Sequence, residues 1–219
     1  MRELVLDNKV VNELKIPGGY IVGIEGIDAV GKNTQSLLLS RWLRKNGIKT
    51  TLMSFPDYDT MIGKEIKSFL SGGRAYPTEL QHLLFAANRW EKSEEIKSRL
   101  HAGETIIVNR YTESNLAYGM ANGLDIAWLT NLEKGLPRAD LVIVLDAPQE
   151  TLSPRRPDKN KDTYERSPTL QDKAQKAYRE LARKRGWKLI AADGPVDNVQ
   201  ATVLKAVREA LVRGRGTPI

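Results

Sequence analysis

Short apolar runs alternate with amphipathic ones along this chain. Tyr20-Ile21-Val22 and Leu141-Val142-Ile143-Val144-Leu145 are continuous and rich in β-branched residues, the pattern of strands buried on both faces. Runs such as Ser36–Leu43 carry apolar residues at helical spacing. The pattern predicts a strand over residues 20–25 and a helix over 32–46, closed by Gly47. A second strand (49–55) and a helix (60–71, closed by Gly72-Gly73) follow. One long helix is expected over 77–100, with Leu80, Leu83, Leu84 and Ala87 on one face. Then come a third strand (104–108), a helix (124–134), a fourth strand (140–145), a helix (169–185), a fifth strand (187–191) and a last helix (196–212). Residues 1–19 read as a short extension closed by Pro17-Gly18-Gly19, and 213–219 as a frayed tail. The charged, proline-interrupted stretch 154–166 reads as a loop or flap.

Strands alternating with helices predict an α/β fold: a five-stranded parallel sheet with helices on both faces, in one domain over residues 20–219. Ligands in such sheets sit at the carboxyl ends of the strands. Residues 26–32, 55–59, 109–118 and 146–156 are therefore where chemistry is expected.

The first of these carries a phosphate-binding signature. Gly26 and Gly31-Lys32 have the spacing of a P-loop, G-x-x-x-x-G-K-[ST], between a strand and a helix. The glycines let successive N–H groups turn inward at an anion, the helix adds its positive end, and Lys32 reaches the β/γ-phosphates. Residues Gly26, Ile27, Asp28, Ala29, Val30, Gly31, Lys32, Asn33 and Thr34 are thus the expected ATP-binding loop. A chance Gly-rich turn is the bland alternative, and the strand–loop–helix context opposes it.

Composition narrows the partners. The 219 residues are 41% hydrophobic and 28% charged, which is globular. No cysteine is present, so disulfides and Cys-based metal sites are excluded, and a reducing cytoplasm is the expected compartment. No apolar run reaches membrane-spanning length, and the first residues lack a signal-peptide core, so no membrane partner is expected. The net charge of +7 suits nucleic acid or polyanionic small molecules such as nucleotides.

Two further stretches carry chemistry. Asn109-Arg110-Tyr111 follows the third strand, where an arginine can fork a phosphate. Phe85 and Arg89 stand four apart on one helix face, where a ring can stack a base and a guanidinium can donate to its carbonyl. Taken alone, that pair reads more simply as core packing.

EGIDAVGKNTQ, FPDYDTMIGKEIKSFL, LLFAANRW, NRYTESNLAYG, GLPRADLVIVLD and DTYE occur in this order, and together they resemble the thymidylate kinase family of P-loop nucleoside monophosphate kinases. The resemblance implies transfer of phosphate from ATP to dTMP, with Mg2+, in a homodimer, and it makes nucleic acid an unexpected partner. It implies that Asp28 meets the 3′-hydroxyl of dTMP, Phe85 stacks on thymine and Arg89 donates to its 4-carbonyl. Arg110 would bind the acceptor phosphate, Phe55, Ser114 and Asn115 would line the acceptor site, and Tyr118 would lie beneath the sugar. Residues 154–166 would form the lid over ATP. The loop between Gly26 and Gly31 holds no cation, so Arg155 or Arg156 of the lid would serve catalysis beside Lys32 and Arg110, with Arg166 on ATP.

Three positions depart from the family pattern. Asn33 stands where a Ser or Thr ligates Mg2+, and Asn109 stands for an aspartate that supports the metal through water. Tyr58 stands where many relatives carry a phosphate-binding arginine. Two other readings fit the residues: a kinase for another acceptor such as dUMP, or a catalytically degenerate P-loop regulator.

Overall fold

The structure, a computed structural model, describes residues 19–152 and 162–213, without the side chains of 212 and 213. Most of the N-terminal extension, lid residues 154–161 (with Arg155 and Arg156) and most of the tail lie outside the described residues.

Five strands form one parallel sheet: β1 (Tyr20–Glu25), β2 (Thr50–Ser54), β3 (Thr105–Asn109), β4 (Leu141–Asp146) and β5 (Lys188–Ala191). Their order is β2-β3-β1-β4-β5. The central strand β1 is buried along its whole length, as its unbroken apolar run requires. Ile21 shares a core with Phe55, Ile96, Ile106 and Val108, while Val22 and Ile24 share one with Leu39, Leu43, Val203 and Val207. Helices therefore cover both faces, as expected.

The helices are α1 (Lys32–Lys45), α2 (Met61–Leu70), α3 (Thr78–Glu91), α4 (Ser93–His101), α5 (Thr112–Ala121), α6 (Ile126–Leu132), the single turn α7 (Gln149–Leu152), α8 (Pro168–Arg185) and α9 (Val196–Arg213). Local chemistry sets several ends. Thr60 caps α2 by accepting from the Gly63 N–H, and Asp125 caps α6 by accepting from the Trp128 N–H. Gly186 closes α8 in the left-handed conformation. Gly63 admits no side chain: a Cβ there would stand 1.7 Å from the Asp57 carbonyl oxygen, so α2 is pinned against the turn after β2.

The long helix expected over 77–100 is a correction: it is two helices, α3 and α4, divided at Lys92. The Lys92 N–H turns back to the Arg89 carbonyl, and its ammonium is held 2.9 Å from Asp57 on the β2 side. The face of Leu80, Leu83, Leu84 and Ala87 is also split. Leu80, Leu83 and Trp90 are exposed, while His82, Ala86 and Arg89 are the buried side of α3. α3 turns polar residues inward because what lies inward is a cavity. Helix α5 had no amphipathic signal to announce it, since seven of its ten residues are buried, Glu113 and Asn115 among them.

Candidate active site

A cavity of about 510 Å³ opens at the carboxyl ends of β1, β2 and β3. The loop after β1, the turn after β2, the inner side of α3, Arg110, Ser114, Asn115 and Tyr118, and Asp162, Tyr164 and Glu165 line it.

The P-loop forms its floor. Gly26 has φ +132°, and a Cβ there would meet the Leu145 carbonyl oxygen at 2.4 Å, so only glycine lets the loop cross β4. Ile27 and Val30 are buried in the core below and anchor the loop. Lys32 lies along the cavity: its Nζ donates to the Ile27 carbonyl at 2.7 Å and sits 3.8 Å from Asp28. Burial, and then the nearby charge of Arg110, push the Lys32 ammonium down to about 7, with Asp28 opposing. A bound polyphosphate would reverse that balance.

Asp28 is the hub. Burial alone would raise its pKa, but the charges of Arg110 and Lys32 and a Gln171 hydrogen bond hold it far below the usual carboxylate range. Its carboxylate accepts from Arg110 Nη2, from Tyr118 OH at 3.2 Å and from Gln171 Nε2 at 2.8 Å. Gln171 Oε1 takes the Asp28 N–H at 3.1 Å, and its Nε2 also reaches the Tyr164 carbonyl at 3.1 Å. Gln171, fully buried on α8, thus joins the P-loop to Tyr164 in the last part of the 154–166 segment.

Arg110 has φ +63°, a conformation that costs about 1 kcal/mol or more in a residue with a Cβ. The strained turn aims its guanidinium over the Tyr118 ring, 5.2 Å from the centroid. Beneath it Glu25, fully buried, accepts from the Tyr111 N–H (2.6 Å), Ser114 Oγ (2.6 Å) and Tyr178 OH (2.8 Å), which fixes the turn.

Phe85 faces Tyr164 and Phe69 edge-on, with centroids 5.9 and 5.6 Å apart. Tyr118 lies 5.7 Å from Tyr164, tilted by 32°. Phe85, Tyr118 and Tyr164 make the cavity's apolar wall, with Phe69 behind them. Arg89 lines the same cavity, but Glu133 holds its Nε at 3.0 Å and also takes its Nη2, so among the described residues Nη1 alone is uncommitted.

A family model described as "Thymidylate kinase" matches residues 24–203 of this chain. The chain belongs to the thymidylate kinase family. The thymidylate kinase of Arabidopsis thaliana is 36% identical over 87% of this chain and 72% of its own length. That of Schizosaccharomyces pombe is 36% identical over 80% of this chain and 84% of its own length. The solved structure of the Candida albicans thymidylate kinase superposes with a TM-score of 0.80 at 29% identity, over 92% of this chain and 96% of that one.

Within this thymidylate kinase family fold, the structure brings Asp28, Ala29, Gly31, Lys32, Asn33, Phe55, Phe85, Arg89, Asn109, Arg110, Ser114, Asn115 and Tyr118 to one cavity. Five of the expected residues stand apart in detail. Ser114 and Asn115 line it, but the Ser114 hydroxyl is taken by Glu25 and Tyr178, and both ends of the Asn115 amide are taken by His82 and Glu133. Asn33, expected at the metal, has its carbonyl engaged by the Asn109 amide N–H. Arg166 is exposed and does not line the cavity; its backbone N–H turns back to Asp162. Thr34 is exposed beyond the cavity lining.

His82, Glu133, Tyr164, Gln171 and Glu25 escaped the sequence reading. A glutamate ending the apolar run 20–25 was a visible signal, and Tyr164 stood inside the DTYE motif. His82, Glu133 and Gln171 gave none, because each acts through at least one partner 33 to 143 positions away.

Proposed function

We propose that this protein transfers the γ-phosphoryl group of ATP to dTMP, giving ADP and dTDP. The observation that carries the reading is one cavity that joins a P-loop lysine, a strained arginine and an aromatic wall ending at Arg89. Lys32 and the loop amides hold the donor phosphates, and Arg110 turns from Asp28 to the acceptor phosphate. Asp28, fixed by Gln171, receives the 3′-hydroxyl. Phe85 stacks on thymine, Arg89 Nη1 donates to the 4-carbonyl, and Tyr118 crowds the place of a 2′-hydroxyl. An oxygen of the acceptor phosphate attacks the γ-phosphorus in line as the bond to the β-bridging oxygen breaks, and the protein supplies positioning and positive charge.

Asn109 fits a magnesium site weakly: its Oδ1 is buried with no protein partner and lies in the cavity wall, a hard but uncharged acceptor for a metal-bound water. When bound, Mg2+ neutralises charge on the β- and γ-phosphates.

Residues 20–219 act as one kinase domain, with a lid at about 154–166. The protein works in the cytoplasm; among the described residues no helix is long and apolar enough to cross a membrane. It pairs as a homodimer, for which the exposed stripe Leu80, Leu83 and Trp90 on α3 offers an apolar face.

The test is ADP release measured with ATP alone, with dTMP and with dUMP. Release that depends on dTMP is expected; ATP turnover indifferent to dTMP would sink the reading. One methyl is worth about 1–3 kcal/mol in an apolar pocket, so dTMP should exceed dUMP by roughly 10–200-fold in kcat/KM.

A further inference from the structure

His82 is fully buried in the cavity wall, on α3 one turn before Phe85. The phosphoryl transfer as described has no use for it. Its ring nitrogens face two amides: Nδ1 lies 2.7 Å from Asn115 Oδ1, and Nε2 lies 3.2 Å from Asn122 Nδ2.

Chemistry fixes the direction of each bond. One end of the Asn115 amide faces two acceptors, Glu133 Oε1 at 2.7 Å and the His82 carbonyl at 3.3 Å. That end must be the NH2, so the end facing His82 Nδ1 is the carbonyl. A carbonyl facing Nδ1 requires the ring proton there. Nε2 is then a bare acceptor, as the Asn122 NH2 requires. Burial, and then the Arg89 charge, push His82 down to about 4, with the Asn115 bond and the more distant Glu133 and Glu79 opposing, so the ring is neutral at working pH. Glu133 spends its remaining capacity on Arg89.

We propose that His82, locked as the Nδ1–H tautomer, is a positioning residue that fixes how the cavity reads a base. A freely turning Asn115 could offer either amide end to a ligand. With its carbonyl held by His82 and its NH2 by Glu133, the amide cannot turn to accept from a 4-amino group. Glu133, oriented by Asn115, holds Arg89 with an N–H toward the base. The wall is then donor-only at that edge, and it selects pyrimidines with a 4-carbonyl over those with a 4-amino group. The substrate class rests on the dTMP kinase reading; the tautomer does not.

Two measurements test this. The chain has only two histidines, and the other, His101, is exposed. Long-range 15N–1H spectra at neutral pH, assigned with His101→Gln, should show a protonated Nδ1 and a bare Nε2 for His82. An Nε2–H tautomer or an imidazolium overturns the relay. Steady-state rates with dTMP and dCMP test the consequence. His82→Leu should cut the dTMP:dCMP preference in kcat/KM at least roughly tenfold, mainly by raising KM for dTMP, as expected when a polar reading group is lost. His82→Asn, whose amide N–H can replace Nδ1–H, should restore most of it. A folded leucine variant with the parent's preference overturns the role in specificity; if that variant does not fold, an asparagine variant with the preference abolished does so. If the parent itself fails to use dTMP, the proposed function falls while the spectra still decide the histidine.

Discussion

Phe85 and Glu113 show two ways in which single residues set this site. Phe85 gives the cavity its ring face, and Phe85→Ala should weaken dTMP binding by about 1–3 kcal/mol, the range for base–aromatic stacking, with ATP binding nearly unchanged. Calorimetry with each nucleotide checks it. Glu113 is buried on α5 with Oε2 unpartnered. Burial, and then the Glu25 charge, push its carboxyl up to about 7 from 4.5. Between those values the folded protein holds a proton that the unfolded chain releases, so the contribution of Glu113 to stability falls as pH rises from about 4.5 to 7 and stays low above, against the opposite contribution of His82. Glu113→Gln should remove this contribution and raise stability at pH 8 by about 1–3 kcal/mol, read as the difference between variant and parent in urea melts at pH 5 and 8. A variant with the parent's slope would show that another group carries it. The sequence displayed Phe85, Arg89, Lys32 and Arg110 because their roles follow from residue type at short spacing. It hid Glu113 and His82, because a buried polar side chain is defined by what surrounds it.

Among the elements, strands were easy to read and one helix was not. A parallel strand needs only a short apolar run, and β1, β3 and β4 have one. Helix α5 is buried nearly all round and has no polar face to set a period. The break at Lys92 depends on Asp57, which lies 35 positions earlier, so no local signal marks it. Helix α8 acts on the site through Gln171. Gln171→Leu keeps the volume and removes three hydrogen bonds to Asp28 and Tyr164. It should cost about 1–3 kcal/mol of stability. It should also narrow the rate difference between dTMP and its 3′-deoxy analogue, since Asp28 would no longer be held; an unchanged ratio would show that Arg110 and Tyr118 suffice. On the proposed reading the lid supplies a further cation. Arg156→Ala, or else Arg155→Ala, should lower kcat by at least about a hundredfold with KM for dTMP nearly constant, because an arginine acting on transition-state charge is worth about 10³–10⁵. Turnover of both variants within a few-fold of the parent would make the lid a cover only.

The whole molecule carries an outer apolar stripe on the helix whose inner side lines the cavity. Leu83→Lys, at a position 42% exposed, should convert a dimer to a monomer in analytical ultracentrifugation without unfolding it. A dimer that persists would move the interface elsewhere. Asp28 and Gln171, which complete the site, stand 143 positions apart, and β5 and α9 follow later still. During synthesis, then, the strands up to β4 can emerge and pair while the nucleotide loop still lacks its brace. The protein gains its full nucleotide site only once α8 has emerged from the ribosome, and until then Asp28 lacks its two bonds to Gln171.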